Sequence, residues 1–140
     1  MPKYELEKAV KASALAGNYA CEVTWRAGSF VGDEPESVGG KDVGPDPYTL
    51  LASSLATCTV STLRMYCQRK NWSIAQLQVD VNFYKTDDAE PATVFERDIT
   101  ISGNFSEEQH QRFLQIAKAC PVSKILSAGS NIETKLNLQN

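Results

Sequence analysis

Four cysteines, Cys21, Cys58, Cys67 and Cys120, and one histidine, His110, are the side chains best equipped for chemistry in this chain. A cysteine can ligate a metal, close a disulfide, act as a nucleophile or simply fill core. Zinc is disfavoured, because no two cysteines stand at C-x-x-C spacing and His110 lies in the polar run EEQHQR, where a solvated helix surface is the expectation. A permanent disulfide framework is disfavoured as well. The start MPKYELEKAVK is charged and lacks the apolar stretch of a secretory signal, and no apolar run nears the roughly 20 residues of a membrane span. The sequence therefore predicts a cytoplasmic protein with no membrane segment, in a compartment that keeps thiols reduced. What remains is a choice between reactive thiols and core filler.

A thiol that reacts with peroxides must be a thiolate, partly shielded, and close to a second thiol that captures its sulfenic acid before it oxidises further. Cys58 and Cys120 could meet that need, each on the inward stripe of a predicted helix. Only the fold could bring them together, and pattern alone favours core filler for both. Cys120 has one local feature on its side: Pro121 suits the first position of a new helix, which puts Cys120 at or beside the N-cap, where unpaired amides and the dipole favour a thiolate. Cys21, in a predicted strand, and Cys67, near the end of the long helix, read as structural.

The elements that must position this pair follow from periodicity. Tyr19, Cys21, Val23 and Trp25 alternate at strand spacing between glycine-containing turns, which predicts a hairpin or meander. GDEPESVGGKDVGPDP, residues 32–47, is too rich in Gly and Pro for any regular element and predicts a long loop. From Pro47 to Lys70 there is no internal Gly or Pro, and Leu51, Leu55, Cys58, Thr62 and Met65 recur at helical intervals as the expected inward stripe. Leu77, Val79, Val81 and Phe83, then Phe95, Arg97, Ile99 and Ile101, predict two paired antiparallel strands. Ser106 with Gln109 forms a capping box for a second helix, whose buried stripe is Phe113, Ala117 and Cys120. Ile132, Thr134, Leu136 and Leu138 predict a closing strand. An apolar fraction of 42% over 140 residues suits one domain spanning 1–140, and a net charge of -3 leaves no basic field for nucleic acid.

The blocks GDEPESVGGKDVGPDPYTLLASSLATCTVSTLRMYCQRKNW, FERDITISG and SEEQHQRFLQIAKACPVSKIL together resemble the OsmC/Ohr family, that is, osmotically inducible protein C and the organic hydroperoxide resistance proteins. The likeness is nearest to the OsmC-like branch and runs from about Gly32 to the last strand. The resemblance implies an α+β fold with antiparallel sheets wrapped around a long central helix, two chains interlocking as a homodimer. It implies that Cys58 is the peroxidatic thiol and Cys120 the resolving thiol of a peroxidase acting on organic hydroperoxides. It further implies a dithiol reductant of the lipoyl type and no metal or bound cofactor.

One departure from the family falls at this site. Relatives commonly carry a glutamate nine or ten residues before the first cysteine, paired with an arginine that activates the thiolate. Tyr48 and Thr49 stand there instead, and Ser123 stands where histidine is frequent. Arg26 and Arg97 are candidates for the arginine, Asp46 and Glu96 for a substitute carboxylate. Leu50, Phe95 and Phe113 are candidates for an apolar substrate entrance. The missing glutamate keeps a second expectation open, a non-catalytic dimeric protein that senses redox state or binds a ligand.

Overall fold

The computed structural model describes residues 1–139 of the 140 and divides into two compact units, Met1–Leu51 and the chain from Ala52 onward.

Strands β1 (Lys11–Ala14), β2 (Cys21–Trp25) and β3 (Gly28–Gly32) form an antiparallel meander in the first unit, with Lys11 opposite Thr24 and Trp25 opposite Gly28. The long loop that follows is tied down by one carboxylate. Asp33, almost fully buried, accepts hydrogen bonds from the backbone amides of Glu34 (2.8 Å), Lys41 (3.0 Å) and Val43 (3.4 Å), which closes residues 33–43 into a knot around a single turn of 3-10 helix, Glu36–Val38. Both glycine motifs of this loop have a steric reason. A Cβ on Gly40 would run into the Glu34 carbonyl oxygen, and one on Gly44 into the Val31 carbonyl oxygen.

Helix α1 (Pro47–Lys70) begins at the end of the first unit, with proline in its first turn as the sequence predicts. Asp46 caps it, accepting from the amides of Tyr48 (3.2 Å) and Thr49 (3.4 Å) and from the Thr49 hydroxyl. In the second unit, β4 (Gln76–Lys85) and β5 (Thr93–Ser102) pair antiparallel over their full length. Leu77 faces Ile101, Val79 faces Ile99, Val81 faces Arg97, and Phe83 stacks on Phe95 at 4.7 Å. Helix α2 (Glu107–Lys118) starts at the complete capping box of Ser106 and Gln109. Helix α3 (Pro121–Ala128) follows at once, with Cys120 as its N-cap and Pro121 in its first turn.

The core of the second unit is aromatic. Leu63, Cys67 and Phe113 are fully buried among Trp72, Ile74, Leu77, Ile99, Ile101, Phe105 and Ile116, and Phe113 meets Trp72 and Phe105 edge to face at 5.6 and 4.9 Å. Burying side chains of this size stabilises by about 1.5–3 kcal/mol each, so this cluster fixes where α1, α2 and the hairpin lie within the unit.

Two expectations are corrected here. The buried stripe of α1 is Leu55, Thr59, Leu63, Tyr66 and Cys67, whereas Leu51 and Met65 are exposed and Cys58 is half-buried at the margin. The stripe turns because Thr59, polar by type, satisfies its hydroxyl on the Leu55 carbonyl at 2.7 Å and so tolerates full burial. The predicted closing strand is absent. Residues 130–139 have no regular structure, and Ile132, Leu136 and Leu138 are among the most exposed apolar side chains. Alternation marks a sequence able to present one face, but a strand forms only when a neighbouring edge accepts its amides and carbonyls.

Candidate active site

Cys58 and Cys120 come together at the junction of α1, α2 and α3. Helical periodicity carries Cys58 to the margin of the α1 stripe, and the break at Pro121 leaves the Cys120 side chain at the mouth of α3. Their thiols are close enough for each to perturb the other's acidity. Cys58 is half-buried, with Thr62 Oγ1 3.9 Å from its sulfur, and Cys120 has no exposed surface at all. Cys67 is buried in the aromatic cluster and Cys21 belongs to β2 of the first unit, so neither joins the pair. His110 is exposed on α2.

The two thiols are electrostatically unequal. Burial pushes Cys58 up, and its bond to Cys120 pushes it further, against the weaker pull of the Val122 amide and the Thr62 hydroxyl. Burial also works to raise Cys120, but four donors outweigh it: the Cys58 thiol, the amides of Ser123 and Val122, and the Thr59 hydroxyl hold Cys120 below the ordinary thiol value. The two thiols thus shift in opposite directions, Cys58 upward and Cys120 downward.

Of the candidate arginines, Arg97 belongs to this cluster. Its position in β5 is part of the apolar row with Phe95, Ile99 and Ile101, and its Nη1 donates to Thr59 Oγ1 at 3.1 Å. Arg26, in the first unit, lies over the ring of Trp25 at 5.3 Å. Among the described residues no carboxylate pairs with Arg97. Asp46 is engaged in capping α1 together with Tyr48 and Thr49, and Glu96 is exposed on the strand face opposite to Arg97. Neither replaces the missing glutamate.

A cavity of about 730 Å³ lies near the pair, although neither cysteine lines it. Its walls are mostly apolar, with Leu55, Phe95, Ile99, Leu114, Ala117 and Leu126, and its cations are Arg97 and Lys118. Two of its lining residues stand next to the cysteine site: Arg97, which bonds Thr59, and Ser123, in the first turn of α3 after Cys120. Phe95 lines it as anticipated. Leu50 and Phe113 do not; Phe113 is a core residue, and an aromatic spacing pattern does not distinguish the two fates. Thr59 is the member of the cluster that sequence reasoning missed, although its place midway between Leu55 and Leu63 at intervals of four was the available signal. No group of three His, Cys, Asp or Glu side chains among the described residues could hold a metal ion.

Two antiparallel sheets with three helices, one ending in a cysteine and proline junction, define an α+β protein of a recognisable kind. The model of the OsmC-like protein family matches residues 39–135, most of the chain, and the chain belongs to that family. Solved structures share the fold at low sequence identity. An organic hydroperoxide resistance protein OsmC from Legionella pneumophila superposes with a TM-score of 0.63 at 20% identity, over 89% of this chain and 91% of that one. An OsmC-like protein from Mycoplasma pneumoniae gives 0.62 at 18% identity, over 87% and 89%. The organic hydroperoxide resistance protein OhrB of Bacillus subtilis gives 0.53 at 22% identity, over 84% and 89%. No curated protein matches the sequence. No helix is long and apolar enough to cross a membrane among the described residues.

Proposed function

We propose that this protein is a thiol-dependent peroxidase that reduces organic hydroperoxides. The observation that carries the reading is the approach of Cys58 and Cys120, two residues remote in sequence, one half-exposed and one buried, near enough that each thiol shifts the other's acidity. Cys58 attacks the distal oxygen of ROOH, the alcohol departs, and Cys58 becomes a sulfenic acid. Cys120, already in contact, condenses with it to a disulfide before further oxidation can occur. An external dithiol, of the lipoyl type, restores both thiols by exchange. The mostly apolar cavity that Arg97 and Ser123 line suits an organic peroxide better than hydrogen peroxide. Family membership and the hydroperoxide resistance proteins of the same fold support the same substrate class.

The reading includes a cytoplasmic homodimer, in which both units serve one OsmC-like domain. The exposed alternating segment through Ile132, Leu136 and Leu138 supports a partner chain, since it leaves a strand-like sequence without a ladder.

Reduced protein treated with cumene hydroperoxide tests the proposal by peptide mass. The expected product is a Cys58–Cys120 disulfide that dihydrolipoamide reverses over repeated cycles. Both thiols remaining alkylatable after excess peroxide would end the peroxidase reading. A second reading, a non-catalytic redox-sensing or ligand-binding dimer, draws on an Arg97 that bonds Thr59 rather than a carboxylate and on the capping use of Asp46. It predicts a single round of oxidation without turnover by any dithiol.

A further inference from the structure

Tyr66 gathers three cations on its ring. The charged groups of Arg69, Lys70 and Arg112 lie 5.9, 5.8 and 5.3 Å from its centroid, while Trp72 meets it edge to face at 5.5 Å. Each contact is favourable singly, but three like charges around one ring repel one another. The end of α1 accounts for two of them, since Arg69 and Lys70 stand in its last turn, where the helix dipole favours cations. Arg112 has no such reason. It lies inside α2, four residues after Glu108, the spacing at which a carboxylate and a guanidinium pair on one helix face. Its guanidinium is committed elsewhere: Nε donates to the Tyr66 hydroxyl at 2.9 Å and Nη1 donates to Gln115 Oε1 at 2.8 Å. Among the described residues no carboxylate pairs with any of the three cations.

Tyr66, Lys70 and Arg112 line a second cavity, of about 750 Å³, together with Trp72, Gln111 and Gln115. That volume is in the range of small-molecule sites. Glu108 is the one carboxylate among its lining residues, and neither Cys58 nor Cys120 belongs to it. The phenol and the Gln115 amide hold the Arg112 guanidinium from two sides, so it loses little further freedom when a ligand arrives. Two of its five N–H groups are used there, and three are left. A carboxylate would neutralise one of the three charges. A phosphoryl group brings more charge and more acceptor oxygens, which suits a fixed fork with an ammonium beside it. The net charge of -3 offers no wider basic field of the kind a nucleic acid needs, so the ligand is one that the cavity itself can hold.

We propose that this cavity binds a small phosphate compound, an ester or a short polyphosphate, whose phosphoryl oxygens bond Arg112 and Lys70. The site is separate from the thiol pair and stands whether or not the pair reduces peroxides. Tyr66 and Gln115 are its positioning residues, and Glu108 in the wall works against the anion.

Pyrophosphate is the probe, titrated into the reduced, 15N-labelled full chain at about 0.15 M salt, where exposed charges more than roughly 8 Å apart are screened. Saturable shifts are expected at the Arg112 Nε–H and in the amides of residues 66–72 and 106–115. Arg112→Gln should weaken binding about ten-fold. Arg112→Lys should recover part of the loss, because it keeps the charge without the fork. Glu108→Gln should tighten binding. Arg64→Gln removes an exposed cation of α1 that is not on the Tyr66 ring and should leave the affinity unchanged. Acetate at the same ionic strength should bind far more weakly. No saturation by about 10 mM pyrophosphate, ten times a millimolar dissociation constant, overturns the proposal. So do shifts scattered over lysines and arginines elsewhere, an equal loss in Arg64→Gln and Arg112→Gln, or acetate binding as tightly as pyrophosphate. If Arg112→Gln does not fold by circular dichroism, Glu108→Gln decides, and an unmoved or weakened affinity there overturns it. The readout uses neither peroxide nor thiols, so this result and that of the disulfide experiment are independent.

Discussion

Arg97 Nη1 donates to Thr59 Oγ1 across 3.1 Å, tying the apolar face of β5 to the middle of α1. The donor is charged and the acceptor fully buried, so the bond belongs to the stronger class. Arg97 is itself half-buried, however, and water discounts the charge. Replacing it by Met keeps an apolar stem in the row and removes the donor, while Thr59 retains the Leu55 carbonyl as its partner. Arg97→Met is expected to lower the free energy of unfolding by about 1 kcal/mol in urea titrations. A cost of zero would show that the bond is ornamental to stability.

Gly44 is predicted to resist replacement. A methyl group there meets the Val31 carbonyl oxygen, which is backbone and cannot swing aside. Gly44→Ala should cost about 1–3 kcal/mol, the range for forced overpacking, and should speed hydrogen exchange in β2 and β3. Unchanged exchange in those strands would contradict the close approach.

The acid response of the first unit should run through Asp33. Burial works to raise this carboxyl, but the amides of Glu34, Lys41 and Val43 and the charge of Lys41 hold it below its ordinary value of 3.8. Because the folded value is the lower one, the stabilisation is fully present above 3.8 and is lost as pH falls through the folded value. Asp33→Asn should therefore be less stable than the parent at neutral pH and approach it in strong acid. Thermal melts of both proteins across that range provide the check; a gap that persists undiminished below 3.8 would refute it. Asp46 titrates in the same direction in both proteins and cancels from the difference.

Ser106→Ala removes the side chain that accepts from the Gln109 amide at 3.2 Å and leaves the reciprocal bond, from the backbone amide of residue 106 to Gln109 Oε1, as the only half of the box. The expected cost is about 1 kcal/mol. Its signature is local: amides in the first turn of α2 lose protection while those of β4 and β5 keep theirs.

Local signals made most of the fold legible. The capping box, the proline in the first turn of α1, the proline after Cys120 and the alternation through Phe83 and Phe95 each act within a few residues, and each element formed where those signals put it. Reading by residue type failed where a polar side chain is buried on terms set by its own backbone. Thr59 lies at a stripe position that apolar counting skips, and Arg97 stands in an apolar row, so the two residues that bond β5 to α1 were undervalued for the same reason. The segment after Ala128 failed differently. Its alternation is genuine, but pairing depends on an edge elsewhere, which no window of sequence contains. The contact between Cys58 and Cys120 was likewise beyond spacing and came only from likeness to a family.

Cys67 has a practical meaning that its chemistry hides. With 1% of its surface exposed, ringed by aromatic side chains and its thiol pushed up by burial, it is closed to thiol reagents for as long as the second unit stays shut. In a variant whose other three cysteines are serine, the rate at which Cys67 is labelled becomes a clock for the breathing of that core, wound by the protein itself and readable without attaching a single dye beforehand.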